Sequence, residues 1–194
     1  ADVRTHLERY AQHPKFRGVR HIVHDEPDDR FMLQPAFLHG LSLLAEFNLT
    51  YDLLLFPRHL PIAIEVVKQL PQQRFVLDHI AKPAIKAQTF APWEADIRAL
   101  AQFEHVFCKV SGMVTEAAWQ QWTLRDFTRY LDVVFECFGP ERLMFGSDWP
   151  VCLLAAHYAE VVVIVQHYVR NLPLATQEQI FGGNAARFYG IADR

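Results

Sequence analysis

Apolar residues along this chain follow two alternating patterns: short dense runs, and longer stretches with helical spacing. The dense runs cover residues 16–23, 49–56, 74–79, 106–112 and 143–147. They are rich in β-branched and aromatic residues and bounded by turn signals, which predicts strands buried on both faces. Between them, apolar positions recur three and four residues apart, as in Phe37, Leu38, Leu41, Leu44 and Ala45. That spacing predicts helices over 3–13, 35–47, 62–70, 92–101, 116–138, 151–170, 176–181 and 184–189. Within the long region, Thr123 and Asp126 have the spacing of a capping box. Strand and helix alternate without a linker or low-complexity break, so the expectation is one α/β domain over residues 1–194 with a helix-covered parallel sheet.

Composition narrows the partners. The chain is 51% hydrophobic and 21% charged, with a formal net charge of −3. No basic run is present, which argues against nucleic acid. The most apolar stretch, 151–169, contains His157, Glu160, Gln166 and His167. It reads as a helix packed on a sheet, not as a membrane span. Cys108, Cys137 and Cys152 are scattered, without CxxC spacing. A reducing, cytoplasmic setting is expected.

Candidate chemistry gathers at one end of the strands. The runs finish on Arg20 and His21, on His79, on Lys109 and Ser111, and on Asp148, and the run 49–56 is followed at once by Arg58 and His59. Buried strands have no structural reason to collect ionisable groups, since burying them costs free energy unless they are paired. In parallel α/β folds the carboxyl ends of the strands hold the ligand. A shared site is therefore expected there. Each residue also has a structural alternative. Asp148 could cap the following helix, Trp149 could pack, and Lys82 and Lys109 could be exposed. His59 could be a solvated loop residue. His21 and His24 could be structural, because neighbours on a strand face opposite ways. By the same period of two, His79 should face inward with Phe75 and Leu77 while Asp78 bonds backbone groups behind.

The combination of Gly18-Val19-Arg20-His21, Leu77-Asp78-His79-Ile80-Ala81-Lys82-Pro83, Lys109-Val110-Ser111-Gly112, Phe145-Gly146-Ser147-Asp148-Trp149-Pro150 and Phe181-Gly182-Gly183-Asn184-Ala185 resembles the lactonase-type branch of the amidohydrolase superfamily. That branch includes hydrolases of fuconolactone, rhamnonolactone and pyrone-dicarboxylate lactone. The resemblance implies a TIM-like (β/α)8 barrel, with these strands as its fourth to eighth. It implies hydrolysis of a sugar-acid lactone or related cyclic ester, with Asp148 activating water and His79 near the scissile carbonyl. Arg20, His21, Lys82, Lys109 and Trp149 would contact the substrate. One divalent metal ion, zinc first, would be held by Asp148 and His79, or the reaction would run metal-free. The partners implied are a small-molecule substrate and, because the outer strands are long and apolar, a second copy of the chain.

The sequence departs from that pattern in places. The His-x-His pair of the first strand is absent, and the fifth-strand histidine has no counterpart in 49–56. A barrel of this kind usually takes about 250 residues, so the chain is expected to lack three amino-terminal βα units, as a fragment, a truncation or one of two chains. One alternative follows from this, a non-catalytic barrel remnant. A second, implied by a related amidohydrolase branch, is a zinc-dependent decarboxylase of aromatic acids, against which the missing fifth-strand histidine and the Gly146-Ser147-Asp148-Trp149-Pro150 ending count.

Overall fold

The computed structural model describes residues 2–191. Its elements run α1 (Val3–Ala11), β1 (Gly18–Ile22), α2 (Pro35–Glu46), β2 (Thr50–Leu54), α3 (Leu60–Gln69), β3 (Phe75–Leu77), α4 (Trp93–Leu100), β4 (Val106–Val110), α5 (Met113–Glu116), α6 (Leu124–Phe138), β5 (Leu143–Phe145), α7 (Tyr158–Val169), α8 (Leu174–Glu178) and α9 (Asn184–Tyr189). The strands form one sheet in the order β1-β2-β3-β4-β5. All four pairings are parallel. Every predicted strand is present, though each is shorter than its apolar run. No helix among the described residues is long and apolar enough to cross a membrane.

Two helix expectations need correction. The region 116–138 is not one helix: α5 ends at Glu116 and α6 starts at Leu124. The start is set by Thr123, whose backbone N–H donates to Asp126 Oδ2 at 2.7 Å. The capping spacing read from the sequence therefore marks a boundary that apolar periodicity ran across. Likewise 151–170 begins as a single turn, Val151–Leu154, and α7 starts only at Tyr158. There the His157 N–H donates to Glu160 Oε2 at 2.7 Å.

The sheet has two unlike faces. Tyr51, Leu53, Phe75, Leu77, Val106, Cys108, Val110 and Leu143 pack with Leu41, Leu44, Val66, Ile97, Phe127, Leu131 and Val134 of the helices into the main core. Each such side chain, fully buried, contributes about 1.5–3 kcal/mol. On the other face Val76 and Met144 meet Phe188 of α9, with Phe107 and Tyr189 beside them. Asn184 ties α9 down: its Nδ2 donates to Leu143 O and Pro140 O, each at 2.7 Å. Arg20 is in register with Asp52, Asp52 with Val76, and Lys109 with Met144. These charged residues consequently share the second face.

Candidate active site

β3 stops at Leu77, and the chain then turns abruptly. His79, Ile80, Ala81 and Lys82 all have φ between 48° and 61°. Non-glycine residues in this left-handed region cost about 1–2 kcal/mol each, so packing must hold the turn in place. Ile80 and Ala81 are wholly buried, and Trp93 Nε1 donates to Ile80 O at 2.8 Å. The turn overrides the period-two expectation. His79 is not in strand register with Phe75 and Leu77, and Asp78 does not bond backbone behind the sheet. Asp78 carries its carboxylate to Lys109 and Arg20 instead.

The His79 ring is gripped from beneath by the end of β4. Nδ1 lies 2.7 Å from Ser111 Oγ. Gly112, at φ +62°, lies so close that a Cβ there would be 2.6–2.8 Å from His79 side-chain atoms. A Cβ on Gly146 would come within 3.0 Å of Ser111 Cβ. Two glycines thus let three strand ends close on one imidazole. The other ring nitrogen, Nε2, faces Asp148 Oδ1 at 3.5 Å, with 12% and 13% of the two side chains exposed. Burial pushes the His79 pKa down, outweighing the upward pull of Asp78 and Asp148, and Lys82 and Lys109 add to the downward push. Burial thus favours the neutral form of the ring.

Asp148 is not the side-chain cap of a helix. Its carbonyl accepts from the Cys152 N–H at 2.8 Å, while its carboxylate turns to His79. Its φ of 55° makes that separation of roles possible. The peptide between Trp149 and Pro150 is cis, and Trp149 is 64% exposed.

Below this pair runs a chain of charges. Lys109 Nζ lies 2.6 Å from Asp52 Oδ2 and 2.7 Å from Asp78 Oδ1. Arg20 reaches Asp78 Oδ2 at 3.1 Å, and Tyr189 OH donates to Asp52 Oδ2 at 2.8 Å. Burial lowers the Lys109 pKa, but Asp78 and Asp52 raise it by more, so the ammonium is held charged. Burial raises the pKa of Asp52. Lys82 pairs with Glu116 at 2.5 Å.

The sequence-derived candidates thus separate. His79, Asp148, Arg20 and Lys109 share one face of the sheet, with Ser111 between His79 and β5. The ammonium groups of Lys109 and Lys82 are engaged by carboxylates. His21 is not brought to this group: it stacks on Phe31 at 5.2 Å, and its Nε2 bonds Glu26 Oε1 at 2.6 Å. His59 is not solvated but fully buried, between Asp29 Oδ1 at 3.0 Å and the Phe56 N–H at 3.1 Å. Sequence reasoning missed Asp52, Glu116 and Tyr189. A signal for Asp52 was present, since a lone carboxylate inside the apolar run 49–56 demands a buried cation.

Metal fit follows from the donor set. His79 and Asp148 supply two donors facing each other. No group of three or more His, Cys, Asp or Glu among the described residues could hold an ion. A catalytic zinc takes about three protein ligands plus water, so the described residues alone do not fit one.

A family model described as amidohydrolase matches residues 1–191. An L-fucono-1,5-lactonase of Burkholderia multivorans is 41% identical over 190 residues, covering 92% of this chain and 64% of the relative. An L-fucono-1,5-lactonase of Burkholderia ambifaria is 35% identical over 194 residues, covering 98% of this chain and 67% of the relative. The crystal structure of an amidohydrolase from Burkholderia multivorans with bound zinc superposes with a TM-score of 0.92 at 40% identity, covering 99% of this chain and 72% of that one. The chain therefore spans about two thirds of the length of the relatives it matches.

Proposed function

Because the chain belongs to the amidohydrolase family, with its five parallel strands and alternating helices forming part of a TIM-like barrel, we propose that it hydrolyses a sugar-acid lactone. The observation that carries this reading is the His79–Asp148 pair, a carboxylate and an imidazole 3.5 Å apart and mostly shielded from water. The similarity to two L-fucono-1,5-lactonases supports an aldonolactone as the substrate class.

In this mechanism the Asp148 carboxylate takes a proton from water, and the water oxygen bonds to the lactone carbonyl carbon. Charge developing on the carbonyl oxygen is met by the N–H of His79 Nε2. Collapse breaks the bond between that carbon and the ring oxygen. The ring oxygen then receives the proton from Asp148, leaving an open hydroxy acid. Arg20 has half of its side chain exposed and one nitrogen on Asp78, so its remaining N–H groups can meet substrate hydroxyls. The exposed indole of Trp149 completes the proposed substrate contacts, while Lys82, like Lys109, is held by a carboxylate. No step is routed through a metal, since the described residues supply only two donors.

Pairing between copies along β1 or β5, the outer strands of the sheet, belongs to the same reading and is tested by light scattering. The activity itself is tested with a panel of aldonolactones, following proton release with and without chelator. Hydrolysis that Asp148→Asn abolishes supports the proposal; wild type as inert as Asp148→Asn overturns it.

A further inference from the structure

Ser111 is 2% exposed, and its hydroxyl sits 2.7 Å from His79 Nδ1. The geometry points to Ser111 as a positioning residue that donates to Nδ1 and so holds His79 as the Nε2–H tautomer, aiming a hydrogen-bond donor past Asp148 at the reacting oxygen. Nε2 faces a carboxylate oxygen at 3.5 Å. A carboxylate only accepts hydrogen bonds, so a bare Nε2 there would set lone pair against lone pair. With the proton on Nε2, a neutral ring has a lone pair at Nδ1, and the rotatable serine hydroxyl is the donor that meets it. Turning the ring over would place carbons at both positions and lose both contacts.

The surroundings are built for this contact. Gly146 leaves room for the Ser111 side chain, and Gly112 leaves room for the imidazole. The two glycines and the serine lie just past the ends of β4 and β5, while the histidine comes from the left-handed turn after β3. Ser111 touches no substrate in this arrangement; it acts through the ring.

The kinetic part of this inference rests on the lactonase reading; the tautomer does not. The experiment is long-range proton–nitrogen NMR of the full chain labelled with 15N-histidine, treated with chelator and held at pH 8.5, with His79 assigned by comparison with His79→Gln. The wild type should show the proton on Nε2 and a hydrogen-bonded Nδ1. Ser111→Ala should move the Nδ1 resonance to the position of an unbonded nitrogen, and Ser111→Thr should restore it. With an aldonolactone, Ser111→Ala should lower kcat by about tenfold, the scale seen when a ring-orienting partner is removed, with KM little changed. A proton on Nδ1 in the wild type, or an Nδ1 resonance identical in Ser111→Ala, overturns the inference. If no lactone is turned over, the functional reading fails while the NMR still decides the tautomer.

Discussion

His79 Nε2 and Asp148 Oδ1 lie 3.5 Å apart although their strands, β3 and β5, are not neighbours in the sheet. The intervening strand, β4, is followed by Ser111 and Gly112, small enough to let the two side chains meet above it. Both residues sit at positive φ just beyond their strands. The pair therefore depends on two backbone turns and on the small residues between them.

Replacing the base tests the pair directly. Asp148→Asn keeps the shape and removes the proton acceptor, so kcat for aldonolactone hydrolysis should fall by about 10²–10⁴-fold, the usual contribution of a general base. Far-ultraviolet circular dichroism should be unchanged. A variant with wild-type kcat would remove Asp148 from the chemistry.

Gly112→Ala should harm stability and activity together. The added Cβ would fall 2.6–2.8 Å from His79 side-chain atoms at a φ of +62°. Strain of this kind costs about 1–3 kcal/mol, readable as a lower urea midpoint. The displaced imidazole should also lose the Ser111 contact.

Lys109 holds two carboxylates beneath the site, and Asp78 is fully buried. Lys109→Met should destabilise the fold by about 3–5 kcal/mol, as expected when one partner of a buried ion pair is removed. The double variant Lys109→Met with Asp52→Asn should recover part of that loss in urea unfolding. Equal stability of the wild type and Lys109→Met would mean the charges are not coupled.

The buried His59 gives the fold an acid-sensitive latch between two loops. Burial, with help from Arg58, lowers its pKa, while Asp29 acts against that shift. Between the lowered folded value and the ordinary value of about 6.5, the unfolded chain binds more protons than the native one. Stability should therefore rise with pH across that window and be lost as pH falls through it. His59→Gln should show a shallower loss between pH 7 and pH 5.5 in denaturant titrations, and an identical slope would exclude His59 as a source.

The apolar patterning by itself determined the five strands, their alternation with helices and the end of the sheet where ionisable groups gather. Buried parallel strands leave that signature whatever surrounds them. The resemblance carried by the strand-end motifs pointed to the family before any coordinates. Other features were set only by the folded chain. Whether His79 or Asp78 faces inward depended on four consecutive left-handed residues, whose conformation is held by the burial of Ile80 and Ala81 and by the Trp93 hydrogen bond. The split of Arg20 from His21 depended on which face of β1 the helices cover. Lys109 read as a substrate cation until Asp52 and Asp78 closed on it, because partners distant in sequence leave no local trace. Local pattern records what a residue is and how often its kind recurs. Which groups share a low-dielectric pocket is decided by tertiary packing, and that sharing makes Asp148 and His79 a pair.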